Sequence, residues 1–125
     1  TAEKKTGPRL AGAFAISSLG NYDVAEFAPF RYLVHSLNLK SYRNVANAYL
    51  TELLRDPAAR AAVYPLLAGP TLNGASKDER IQLASILGKS GGKDSESYLD
   101  QLSRDPDTDV AQEGIRALRL LRTRL

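Results

Sequence analysis

The apolar residues of this 125-residue chain recur mostly every three or four positions, with charge, Gly, Pro, Ser and Asn between the groups. That period belongs to amphipathic helices, in which such positions share a face. The strongest instance is Tyr42, Val45, Ala46, Tyr49, Leu50, Leu53 and Leu54, a stripe without a miss over Ser41 to Arg55. Ser41 is placed to cap that helix, and Pro57 ends it by disfavouring helical geometry at Asp56. The stripe predicts that this helix lies at the centre of the core. A second strong pattern closes the chain. Asp105-Pro106 makes a turn, Asp107 or Thr108 caps, and Val110, Ala111, Gly114, Ile115, Leu118 and Leu121 fall on one helical face. Arg116, Arg119, Arg122 and Arg124 crowd the C-terminal half, where cations complement the helix dipole.

Five further helices are predicted. One runs from Pro8 to about Gly20 with Leu10, Ala13, Phe14 and Ser17 on one face. Asp23 with Glu26 opens the next, which carries Val24, Phe27, Phe30, Leu33, Val34 and Leu37 and is kinked or delayed by Pro29. An Ala-rich helix runs from Pro57 to about Ala68, interrupted by Pro65, and Gly69 to Ala75 is irregular. Ser76 and Glu79 form an S-x-x-E capping box for a helix through Ile81, Leu83, Ala84 and Leu87 to Gly88. After a loop at Lys89 to Asp94, Asp94 or Ser95 caps a short helix with Tyr98, Leu99 and Leu102. No stretch sustains period-two alternation, so no sheet is expected. The pattern predicts one all-α domain over residues 8–125, about seven antiparallel helices, after a polar lead-in at 1–7 that should fray.

Part of the pattern repeats. Asp78 to Gly91 lies over Asp109 to Arg122 without a gap, and Leu54-Arg55-Asp56-Pro57 echoes Ser103-Arg104-Asp105-Pro106. The helices from Pro8, Ser41, Ser76 and Thr108 form one class, and the three between them another. On these residues, above all Asp105-Pro106-Asp107 followed by Val110 and Ala117-Leu118, the chain resembles the HEAT repeat family. The resemblance is most specific over Ser76 to Leu125. Gln112 stands near a position where that family often has Arg, and Arg119 where it often has Gly.

The resemblance implies a HEAT-like α-α superhelix, a short solenoid, acting as a non-catalytic interaction or scaffold module. Its partner, another protein or the rest of its parent chain, would bind the concave face lined by the first class of helices. Arg43, Asn47, Arg80, Gln112 and Arg116 would point outward there. A solenoid ends in a polar cap or leaves its last apolar seam open. Ala117, Leu120 and Leu125 are therefore expected to form a partly exposed apolar strip.

Composition narrows the chemistry. Hydrophobic residues make up 43% and charged residues 25%, the mix of a folded globular domain. The net charge of +3 is too weak to imply nucleic acid, and no aromatic residue lies between the cations after Tyr98. A nucleic-acid backbone binder is thus the least favoured alternative. No apolar run is long enough to cross a bilayer. Without cysteine there is no disulfide and no thiolate metal site. His35 is the sole histidine, expected at the buried edge of its helix in a structural role. Gly88 to Lys93 fails the phosphate-loop spacing, because Leu83 and Leu87 stand where glycine is needed. The reading is therefore of no enzyme, no cofactor and no metal. The absence of any methionine, with Thr1 first, suggests a processed product or an excised piece. The corresponding alternative is a C-terminal helical domain of a larger enzyme, for example a peptidase.

Overall fold

The computed structural model describes residues 11–15, 17, 29–66 and 75–125. Among these residues the chain is helical with no strand. The segments are α1 (helical residues 11–15), α2 (Pro29–His35), α3 (Arg43–Leu53), α4 (Pro57–Leu66), α5 (Lys77–Ser90), α6 (Glu96–Ser103) and α7 (Thr108–Arg124). Short 3-10 turns at Ser36–Asn38 and Lys93–Ser95 follow α2 and precede α6. The expected lead-in at 1–7, the Gly20 helix end and the Asp23–Glu26 box lie outside the described residues, as does most of the Gly69–Ala75 stretch.

One core joins all seven segments. Phe30, Leu33, Leu37, Leu50, Leu54, Leu83, Ile86, Leu87, Leu99 and Leu121 are fully buried in it. Among the described elements α5 is central, packing against α2, α3, α6 and α7. The stripe on α3 had suggested that α3 would hold that place. The reason for the difference lies in α5, whose buried Leu83, Ala84, Ile86, Leu87 and Gly88 spread over more than half of the helix circumference. Val45, read as part of the α3 stripe, is exposed. It sits at the edge of the buried sector, whose centre is held by Ala46, Leu50 and Leu53.

The helix ends follow local chemistry. Asp107 accepts from the N–H groups of Asp109 and Val110 and so caps α7. Ser76 accepts from the Glu79 N–H and caps α5. Glu79 does not close the box on Ser76. Its carboxylate instead accepts from Asn38, at 2.6 Å. Ser41 does not cap α3. The Tyr42 and Arg43 N–H groups both reach the Leu39 carbonyl, at 2.9 and 2.8 Å, so backbone replaces the side-chain cap. Both Asp-Pro steps work alike: Asp56 accepts from the Ala58 N–H and Asp105 from the Asp107 N–H. α5 runs two residues past Gly88, since a glycine packed inside a helix pair need not end it.

Candidate interaction surface

Helices α3, α5 and α7 lie side by side, with α5 in the middle. Polar side chains lace them together. Arg43 pairs with Asp78 at 3.1 Å and Asn47 donates to Gln82 at 2.8 Å, joining α3 to α5. Lys89 donates to Asn47 at 3.1 Å. Lys77 pairs with Asp109 at 2.7 Å, joining α5 to the start of α7. Below this layer Tyr64 of α4 stacks on Tyr98 of α6, with ring centroids 4.5 Å apart.

Three arginines share one job. Each stands in the first turn of a helix, reaches back to a carbonyl just upstream, and holds a carboxylate far downstream. Arg43 donates to the Leu37 carbonyl at 2.8 Å and pairs with Asp78. Arg60 donates to the Leu54 carbonyl at 2.9 Å and holds Asp94 through Nε and Nη2, at 3.0 and 3.2 Å. Arg80 donates to the Ala75 carbonyl and lies 3.1 Å from Asp105. The Arg80 Nε contact falls outside hydrogen-bond geometry, so it is an ion pair only. A planar fork with five donors suits this work, since it can meet a carboxylate and carbonyls together.

Arg60 is the most buried of the three, at 6% exposure. It also donates to the Arg55 and Ser90 carbonyls, so it gathers the ends of α3 and α5 and the turn before α6. Tyr64 donates to Asp94 from the other side. Burial works to raise the Asp94 pKa, but the hydrogen bonds from Arg60 and Tyr64 outweigh it and hold the carboxyl below its ordinary range. Burial, then the bond to Asp94, pushes the Tyr64 hydroxyl well above its ordinary value. Arg124 completes the set: it donates to the Gly88 and Gly91 carbonyls at the end of α5, where a cation suits the helix dipole.

The residues expected to meet a partner divide into two groups. Arg43, Asn47 and Arg80 are half-buried and engaged within the layer, so they hold the fold together and do not stand free. Gln112, Arg116 and Leu120 are exposed on α7. Arg116 keeps 80% of its side chain in solvent and lies 3.6 Å from Glu113. Leu120 is 43% exposed and Leu125 60%. Ala117 is not part of an exposed strip. It is buried against Gly88, where the absent side chain lets α5 and α7 meet closely. Ile115 takes the opposite course: expected on the buried face, it is 42% exposed. The buried sector of α7 is centred on Gly114 and Leu121, and Ile115 lies beyond its edge. His35 also departs from expectation, with 75% of its side chain in solvent, 4.0 Å from Glu79.

Arg60 was not singled out from the sequence, and Arg124 was read only as a cation complementing the dipole of its own helix, with no sign of its contact with α5. Arg60 had a legible signal: it is the only charged residue between Pro57 and Ala68, three positions before Val63 on the apolar face. Arg124 had none, because its partners are backbone carbonyls. Among the described residues no three His, Asp or Glu side chains gather as metal ligands, and no helix is long and apolar enough to cross a membrane. No protein-family model matches the chain, and neither does any curated protein or solved structure.

Proposed function

We propose that the chain is a short HEAT-like α-α superhelix that serves as a non-catalytic protein-interaction module, with its partner seated on the outward side of α7. The partner is another protein or another part of the same parent chain. The spacing of the contacts between helices carries this reading. Arg43–Asp78 and Asn47–Gln82 are separated by 35 residues, Arg60–Asp94 and Tyr64–Tyr98 by 34, Lys77–Asp109 by 32, and Gly88–Arg124 by 36. Other contacts fall outside this band: Asn38–Glu79 spans 41 residues, Lys89–Asn47 42, Arg80–Asp105 25 and Arg122–Glu96 26. Repeat stacks join each unit chiefly to the next, which gathers contacts at one separation. An irregular bundle has no reason to do so.

Within the layer, α7 is the better docking element. The polar groups of α3 and α5 are largely spent on each other, whereas Gln112, Arg116 and Leu120 face solvent. A photo-crosslinking residue at Gln112, compared with one at the exposed Ala61 of α4, tests this. Cross-linking of whole cells should give a protein adduct from position 112 and not from 61. Equal adducts from both positions, or none from 112, would contradict it.

A further inference from the structure

α7 meets α5 where Ala117 packs on Gly88, and α6 at Gly114: a Cβ added at Gly88 would lie 2.9 Å from the Ala117 side chain, and one added at Gly114 would lie 2.6 Å from the Ser103 nitrogen. At about 100° per residue these two contact positions lie only about 60° apart around the helix. Arg119 stands about 160° round from Ala117 on the same geometry. The open side is therefore broad, and it has a definite chemistry. Gln112, Arg116, Arg119 and Thr123 run along its middle and are exposed. Ile115 lies on one shoulder and Leu120 on the other, at 42% and 43% exposure. Beyond Glu113 the helix carries no acidic residue at all. Arg116 and Arg122 have only loose acidic neighbours, at 3.6 and 3.9 Å, and Arg119 has no ion pair among the described residues.

We infer that the partner of this face is an acidic amphipathic segment, bound as a helix along α7. The inference rests on the interaction reading of α7 given above and supplies the chemistry of its ligand. Carboxylates spaced three residues apart meet Arg116 and Arg119, which are themselves three apart. Leucine or isoleucine side chains beside them cover Ile115 and Leu120. The aliphatic stems of the arginines add apolar contact on the same face. Nucleic acid fits less well, because the shoulders are branched aliphatic residues and no aromatic ring is exposed between the cations for a base to stack on.

The test uses a fluorescein-labelled synthetic peptide of Glu and Leu at helical spacing, and a second peptide with every Glu replaced by Gln. Fluorescence anisotropy is read against the whole chain, against Arg116→Glu with Arg119→Glu, and against Lys40→Glu with Arg55→Glu, which changes the net charge equally elsewhere. The acidic peptide should bind the wild type, more weakly as salt rises, and lose about tenfold or more only in the α7 variant. Circular dichroism should show that both double variants keep their helicity. Equal loss in the two variants, equal binding of the Gln peptide, or no binding at all overturns the inference. So does tighter binding of duplex DNA or of phosphatidylserine vesicles than of the peptide. A protein cross-linked from Gln112 through a segment without acidic residues would leave the interaction reading standing and overturn this one.

Discussion

Arg60 brings a full positive charge to a position only 6% exposed, in a helix otherwise built largely of alanine. Such a charge is tolerable only when its nitrogens are met, and here Asp94 meets Nε and Nη2 while the Leu54, Arg55 and Ser90 carbonyls meet Nη1. Replacing Arg60 with Ala leaves buried acceptors unmatched, and should cost about 2–4 kcal/mol in urea unfolding. A loss within about 0.5 kcal/mol, the range of ordinary surface changes, would mean that the clasp holds nothing. The same cluster gives a pH dependence. Because the folded-state pKa of Asp94 is lowered, the unfolded chain takes up the proton more readily. The contribution of Asp94 is then complete above the ordinary carboxylate range and is lost as pH falls below about 4. The stability gap between wild type and Asp94→Asn should be widest near neutrality and should close on acidification. A gap that does not change with pH would contradict the Arg60–Asp94 account.

At the scale of elements, two glycines set how closely α7 approaches its neighbours. A methyl group at Gly88 would meet mainly the Ala117 side chain and backbone, and one at Gly114 would meet the backbone of Leu102 and Ser103. Alanine is the better helix former by about 1 kcal/mol, so a glycine without a packing role would be improved by the change. Here Gly114→Ala should instead destabilise by about 1–3 kcal/mol, since backbone cannot move aside. Thermal unfolding of that variant checks it, and an unchanged or higher midpoint would show that the α6–α7 contact is looser. Leu50 gives the complementary test on α3. It is fully buried, and Leu50→Ala should cost about 2–5 kcal/mol through lost burial and a cavity. Leu120→Lys, by contrast, should leave the unfolding midpoint nearly unchanged, because the side chain already stands in solvent.

The helices were readable from the chain because each carries its own period and its own end signals. The Asp105-Pro106-Asp107 turn and the Ser76 cap are local chemistry, and both are present as the residues imply. What was not readable depends on neighbours far along the chain. Ala117 reads like any small residue on α7 until Gly88 of α5 is placed against it. Ile115 reads as buried until the α6–α7 contact fixes the rotation of α7 about Gly114. The outward residues divide for the same reason. Arg43, Asn47 and Arg80 look free in the sequence, but their partners Asp78 and Gln82 arrive from α5 and Asp105 from the turn between α6 and α7.

For the whole molecule, the seven helical segments among the described residues share one core, and side-chain contacts such as Asn47–Gln82 and Arg60–Asp94 join residues 35 and 34 positions apart. The layer of α3, α5 and α7 is closed by its own polar contacts along most of its width and is left open at α7. We propose that this open side is the working surface of the protein. At 13.6 kDa the chain is small enough for amide-by-amide NMR. The most direct measurement is a titration of the isotope-labelled protein with the acidic Glu/Leu peptide, following the backbone amide shifts. Shift changes should be confined to α7, greatest from Gln112 to Thr123, with α3 and α4 undisturbed. Changes centred on α3 or α4, or a spectrum unmoved by saturating peptide, would contradict it.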